Sequence, residues 1–315
     1  MANDASRAAS AHLAASLFVP MTAPVTDPDA AAGPARTDEF TAVRHVYEPH
    51  AIGLPPLRPY IRELWRRREF AQEMARTTLR ALHFDTVMGQ LWLVLNPVLL
   101  ACVYFLLVDI IGARSGGITF FAHLMACLFV FHFVTDAMRQ AVKSVTGGGR
   151  LILNTAFPRV LLPASSVIVA FKRFLPTIVI FIPAAFAASL PFGPELLWLL
   201  PVFGLFLVLA SGLAMWVAAG QVYFRDLKNF LQYALRMWLY ASPILYYASS
   251  VPERYDFLLY ANPMSPLLTM WSDIIEQGVA PAGADLALAA GWAFALFFTG
   301  ALFFISRERE FAVRL

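Results

Sequence analysis

The chain has 315 residues, 59% of them hydrophobic and only 14% charged, with a mean hydropathy of +0.63. That excess over the roughly half-apolar mix of water-soluble domains excludes an ordinary soluble enzyme and points to an all-α, polytopic membrane protein. The formal net charge of +3 excludes little, because topology follows the placement of Lys and Arg among the loops and not their sum.

Residues 1–57 are rich in Ala, Thr, Asp and Pro, and their one short apolar patch, "LAASLFVP", is too brief for a secretory leader; they read as an uncleaved, mostly disordered cytosolic tail. Residues 58–85 are amphipathic. Arg62, Arg66, Glu69, Glu73, Arg76 and Arg80 recur at spacings of four and three along one stripe, with Leu64, Ala71, Ala75, Thr78 and Leu82 towards the other side. This predicts an interfacial helix that guides a lipid-linked substrate, contacts a partner, or simply anchors the first span.

Residues 86–315 form the predicted membrane domain. A hydrocarbon core of about 30 Å needs about 20 helical residues, and six runs supply them: 91–111, 118–139, 174–192, 196–222, 227–247 and 286–306. Arg58, Arg62, Arg66, Arg67, Arg68, Arg76 and Arg80 precede the first run, and Arg139, Lys143, Arg150, Arg159, Lys172 and Arg173 cluster between the second and third. Arg225, Lys228 and Arg236 surround the start of the fifth, and Arg307, Arg309 and Arg314 follow the sixth, whereas the alternate connections hold Arg114 and Arg254 alone. This asymmetry predicts a multi-pass plasma-membrane protein with both termini in the cytosol.

The loop at 143–165 is unusual. "TGGGR" breaks the helix leading into it, and "LILNTAF" can make about two helical turns before Pro158 restricts Phe157 and stops them, with Pro163 interrupting the apolar stretch again. A short greasy helix outside the membrane is not favoured by water and is favoured by a protein groove. "VYFRDLKNF", residues 222–230, joins the fourth and fifth runs almost without a loop; Asp226 can cap the following helix, and Arg225 can meet lipid phosphate or a partner's acid. Residues 248–285 are too polar and Pro-broken to span, and predict short re-entrant helices on the outer side, with their irregular backbone covered by protein.

No G-x-x-x-x-G-K-[ST] phosphate loop occurs, so the chain is not itself an ATPase. His123 and His132 are nine residues apart and point to nearly opposite helix faces, which rules out a shared metal and predicts hydrogen-bonded packing residues. Asp136 is positioned to pair with Arg139. Lys172 and Arg173 stand at the cytosolic mouth of the third run, where they either snorkel to the interface or, with Arg62, Arg66, Arg76 and Arg80, receive a diphosphate head. Tyr104, Phe129, Phe133, Trp238, Tyr240, Tyr246 and Tyr247 are available to line a path, although core packing and interfacial belts use the same residue types.

"MGQLWLVLNPVL", "LILNTAFPRVLLPAS", "VYFRDLKNF" and "SPILYY" stand in an order and spacing that resemble the permease subunits of ABC-2 type polysaccharide exporters, the group that moves O-antigen, teichoic acid and related glycans; the likeness covers residues 60–315 and extends to the galactan-exporting systems of mycobacterial cell walls. The resemblance implies a homodimer with the export path between its copies, two copies of a separate nucleotide-binding subunit that hold ATP and Mg, and no cofactor, metal or nucleic acid in this chain. It further implies that Leu151, Ile152, Leu153, Asn154, Phe157, Pro158 and Arg159 form the coupling helix seated on that ATPase, with Arg225 and Asp226 counted among the coupling residues, and a polyprenyl-diphosphate-linked glycan, such as a galactan, as cargo. The alternatives are an ABC-2 permease for a drug or lipid, a polyprenyl-phosphate-dependent transferase, for which no catalytic grouping of acids and histidines is visible, and a secondary transporter, for which paired mid-membrane charges and broken repeats are missing.

Overall fold

Apolar runs that leave their backbone no water must close their hydrogen bonds within single helices. The computed structural model describes residues 56–81, 92–112, 117–155 and 157–314, and every regular element among them is helical. Residues 1–55 of the predicted tail and the last four residues of the amphipathic segment, 82–85, lie outside the described residues. Two helices, α1 (Leu57–Arg66) and α2 (Arg68–Ala81), fill the rest of that segment and are separated at Arg67, where the backbone turns to φ −99° and ψ 17°. Ala71 and Ala75 are the buried residues of α2, so its small side lies on the protein while the arginines remain outside.

The membrane domain follows as α3 (Trp92–Gly112), α4 (Gly117–Gly147), the short α5 (Gly149–Asn154), α6 (Leu161–Ala187), a 3₁₀ turn at Pro194–Trp198, α7 (Leu199–Tyr223), α8 (Leu227–Ala241), α9 (Asp256–Ala261), α10 (Ser265–Gln277) and α11 (Gly283–Arg307). A second 3₁₀ turn at Glu308–Glu310 and α12 (Phe311–Arg314) end the described chain. α4 is the central column. It is buried along most of its length, from Phe120 to Val145, and packs against α3, α6, α7, α8 and α10. A second seam joins α7 to α11, and α2 lies against α6.

Four stretches are long and apolar enough to cross a bilayer: Gly117–Gly147, Leu161–Ala187, Pro194–Tyr223 and Gly283–Arg314. Two of the six expected spans are not among these four. α3 has the 21 residues of a full crossing, and its apolar stretch among the fully described residues is Leu95–Val108. The fifth run, expected over 227–247, stops at Ala241, because Ser242 precedes a proline and is held extended at φ −104° and ψ 148°. Its 15 residues reach about 22 Å, less than the hydrocarbon thickness. The third run corrects the reading in the other direction. α6 begins at Leu161, thirteen residues earlier than Phe174, because Pro163 falls in the first turn, where no amide hydrogen is needed. Pro176 and Pro183 lie inside α6 without ending it.

The segment between α8 and α11 is a series of short helices and 3₁₀ turns. α10 carries its burial almost all round and stops at Gly278, whose φ of +62° is the left-handed conformation that glycine accepts without a steric penalty. One contact ties it to the central column: His123 Nδ1 lies 2.5 Å from Glu276 Oε1, both side chains nearly excluded from solvent. The α7–α11 seam depends on missing side chains. A Cβ on Gly212 would stand 2.6 Å from the backbone of Leu296 and Phe297, and one on Gly300 would stand 2.4 Å from the Gly212 carbonyl oxygen. Two backbones therefore touch directly, the arrangement by which helices associate where lipid provides no hydrophobic drive. Replacing Gly300 with Val should force the seam apart and cost about 1–3 kcal/mol, read as a lowered melting temperature of the detergent-solubilised protein, whereas Gly291→Ala, whose Cβ meets nothing within 4 Å, should leave melting unchanged.

Candidate functional site

The connection from α4 to α6 contains the features that set this chain apart from a plain bundle. Gly148, at φ −87° and ψ 10°, separates α4 from α5, and the amides of Leu151 and Ile152 both donate to its carbonyl, so the new helix starts at once in a new direction. Thr155 ends it in extended geometry at φ −139° and ψ 131°. Ile152 is buried and Leu151 half-buried, which fixes the helix to the body, while Leu153 is 63% exposed and Asn154 is exposed beside it. An exposed leucine on a helix this short is an apolar tip with no cover of its own.

Phe157, Pro158 and Arg159 do not follow that tip outwards. Phe157 packs on Phe70 of α2 with ring centroids 5.1 Å apart, and Pro158 is buried. Arg159 turns to Glu308, whose carboxylate accepts from the Arg159 amide, while the Arg159 guanidinium donates to the Glu308 carbonyl. The other carboxylate oxygen accepts from the hydroxyl of Tyr60 on α1 at 2.5 Å. Glu308 is only 9% exposed. One acid thus fastens three stretches distant in sequence: the N-terminal helix, the α4–α6 loop and the end of α11. Burial, reinforced by the carboxylate, holds the Tyr60 phenol far above its ordinary range, so it stays a donor. Burial lowers the pKa of Arg159, opposed by the attraction of Glu308. Sequence reasoning missed Glu308, since "SRERE" was read only for its arginines.

At the same end of the bundle, α7 turns into α8. Asp226 occupies the N-cap position but makes no side-chain cap bond. Gln221 does that work instead: its side-chain oxygen accepts from the Lys228 amide at 2.8 Å, and its amide donates to the Arg225 carbonyl at 2.7 Å. A buried glutamine in an otherwise apolar run was the available signal. Arg225, exposed, borders a concavity of about 510 Å³ together with Lys143, Lys228 and Arg314. Arg314 and Arg307 pair with Glu310, which also accepts from Tyr223 at 2.7 Å, so the end of α11 is pinned to the end of α7 as well.

α8 is amphipathic in an unusual sense. Leu231, Leu235 and Leu239 are its buried residues, spaced by four along one line. The remaining surface exposes Lys228, Asn229, Phe230, Gln232, Tyr233, Arg236, Met237 and Tyr240. Tyr240 meets Tyr104 of α3 edge to face at 6.4 Å. Lipid is a poor neighbour for that mixture of cations, amides and phenols. Among the other aromatics, Trp238 donates to Asn262 at 2.7 Å. Tyr246 is half-buried and Tyr247 lies against His123 at 4.4 Å between centroids. Phe129 and Phe133 are buried inside the helical packing, Phe133 between Phe174 and Phe203.

The cationic residues divide into two groups. Arg62, Arg66 and Arg80 are exposed on α1 and α2, and Arg76 pairs with Glu73 at 3.4 Å. Lys172 is half-buried on α6. Arg173 is not gathered with the stripe: it pairs with Asp136 at 3.1 Å, and the expected Asp136–Arg139 pair is present on the other oxygen at 3.5 Å. His123 has the partner expected of it, but His132 corrects that reading, since its Nε2 is buried and finds none among the described residues.

No family model matches the chain. Curated relatives do. It is 26% identical over 203 residues to the O-antigen export system permease protein RfbA of Klebsiella pneumoniae, covering 64% of this chain and 78% of the relative. A second K. pneumoniae protein of the same name is 24% identical over 201 residues, covering 64% and 77%. The Myxococcus xanthus protein of that name is 27% identical over 258 residues, covering 80% of this chain and 97% of its own.

Removing the Glu308 carboxylate should release the α4–α6 loop. Glu308→Ala leaves Tyr60 and the Arg159 amide without an acceptor and should cost about 2–3 kcal/mol, with Glu308→Gln losing less; amide exchange at residues 157–162 should quicken in that order while the middle of α4 stays protected.

Proposed function

We propose, from its homology to the O-antigen export permeases, that this chain is the membrane-spanning subunit of an ATP-driven polysaccharide exporter of the ABC-2 type in the plasma membrane, a transporter and not an enzyme. The observation that carries this reading is α8. Its exposed face bears Lys228, Asn229, Gln232, Tyr233, Arg236 and Tyr240 beside Phe230 and Met237. Such a face is unfavourable against hydrocarbon and favourable against water and sugar, where aromatic rings hold C–H surfaces and amides trade hydrogen bonds. A second copy placed against α3 and α8 would enclose it and create a path between the two protomers.

The reading extends to six membrane passes, with the short α8 next to the path beside α3, and to cytosolic termini by the distribution of basic residues. Energy then enters at α5. Leu153 and Asn154 form the tip that seats in a groove of a separate ATPase, which binds ATP and Mg, with two copies serving the dimer. Closure of those subunits would push α5, and Phe157, Arg159 and Glu308 would pass the displacement to α1, α2 and α11 as one body. Lys143, Arg225, Lys228 and Arg314 provide a basic flank that suits an acidic rim on the partner. The cargo in this reading is a lipid-linked glycan, a polyprenyl-diphosphate-linked galactan being the specific candidate, with Arg62, Arg66, Arg76 and Arg80 guiding its head at the interface.

Mild detergent extraction should yield a stoichiometric companion bearing a phosphate loop, and depletion of the chain should accumulate a long lipid-linked glycan inside cells. Absence of the companion rejects the reading, and accumulation of a drug or simple lipid in place of glycan reassigns the cargo. Asn154→Ala and Phe157→Ala should each leave insertion and ATP hydrolysis near wild type while lowering export at least tenfold; undiminished export in both would remove α5 from the coupling path. Tyr233→Ala with Tyr240→Ala should slow glycan release without changing nucleotide turnover in the absence of cargo.

A further inference from the structure

A cavity of about 170 Å³ lies between α3, α4 and α6, bordered by His132, Asp136, Arg139 and Arg173, with Phe129 and Phe174 among its apolar walls. That room is below the ~300 Å³ at which sites for drug-sized molecules begin, and it suits one small ion with a few waters. Neither a lipid chain nor a sugar fits. What distinguishes the cavity is the charge along its wall.

Asp136 meets Arg139 through one carboxylate oxygen at 3.5 Å and Arg173 through the other at 3.1 Å. Each contact uses a single guanidinium nitrogen, Nη1, of a group that carries five N–H donors. One acid therefore faces two cations, and a positive charge is left over where the Asp136 and Arg173 side chains are only 20% and 29% exposed. Two further groups are unused: the Nε of Arg173 and the Nε2 of His132 are buried and lack a hydrogen-bond partner among the described residues. The first always bears a hydrogen, and the second does so in one of the two imidazole tautomers. Water can satisfy those nitrogens but not the charge, whereas an anion satisfies both. The excess is a single charge, so a monovalent ion cancels it, while a doubly charged phosphate or sulfate would reverse its sign beside Asp136.

We propose that this cavity binds one chloride ion, held by the guanidiniums of Arg139 and Arg173 with the Nε2–H of His132 as a third donor. Asp136 is a positioning residue: it spaces the two guanidiniums and, by repelling the ion, keeps its affinity moderate. Because the donors come from α4 and α6, the ion fastens the central column to the neighbour it packs against most extensively. Neither cargo nor a partner subunit enters into this site, which stands whether or not the exporter reading does.

The test uses the purified full-length protein in detergent, with thermal unfolding followed as sodium chloride replaces sodium gluconate at constant ionic strength. The wild-type melting temperature should rise saturably, by about 5 °C at a hundredfold excess over the half-effect concentration, and bromide should substitute for chloride. Arg173→Gln should abolish the rise. Asp136→Asn removes the competing negative charge, so its half-effect chloride concentration should fall about tenfold; purely structural ion pairs would instead lose the response in both variants. Leu100→Trp, which alters no charge and fills the cavity, should also lose the response, and it carries the test should Arg173→Gln fold poorly. Arg254→Gln, an exposed arginine outside the cavity, should respond as wild type does. A melting temperature indifferent to the exchange of gluconate for chloride, loss of the response in Asp136→Asn, or a larger rise with inorganic phosphate, pyrophosphate or sulfate than with chloride would each overturn the proposal, the last by marking an oxyanion site.

Discussion

A membrane interior offers a polar side chain no water, so each one must find a partner in the protein or border a space that water or a ligand can enter. Most polar contacts in this chain follow from that constraint. His123 reaches Glu276, Arg173 and Arg139 share Asp136, Trp238 finds Asn262, and Gln221 closes the turn between α7 and α8. The exceptions are informative for the same reason. The exposed polar face of α8 and the unpaired nitrogens beside Asp136 are places where the protein alone does not complete the account, and both lead to what comes from outside it.

The constraint also explains why the two ends of the bundle look different. At the end containing α5, aqueous and apolar demands meet: acids and arginines fasten the loop, the α7–α8 turn and the close of α11, while Leu153 is presented bare. At the other end, short helices and turns fill the segment after α8, with α10 sunk against the central column. A rigid frame with one greasy projection suits a part that receives a push and passes it on, whereas a flexible loop would absorb it.

Much of this was legible in the sequence, and the failures have identifiable causes. Hydropathy alone found α4, α7 and α11 to within a few residues at most boundaries, because long runs without charge have one low-energy form in lipid. It overran at Tyr247, since Ser242–Pro243 stops α8 by a local steric rule that a hydropathy window averages away. It started α6 late because Pro163 was taken as a break, although the first turn of a helix tolerates proline. The glycine triplet marked the start of the short helix, but its end was misplaced: the helix stops at Asn154, with Thr155 extended, short of Pro158. The ties through Glu308 and Gln221 were not legible. Each joins residues that are brought together only by packing, and nothing in "SRERE" or "AAGQVY" says which neighbour will be there.

The fastening at Glu308 has a temporal side. Its two partners, Tyr60 and Arg159, are made before Glu308 itself, with the whole set of long helices synthesised between the first and the last. A nascent chain therefore carries its loop unclasped through most of insertion, and the loop acquires its fixed posture only after α11 has entered. Until that acid arrives, the Arg159 amide and guanidinium and the Tyr60 hydroxyl lack the partner that holds the α4–α6 connection against α1 and α11.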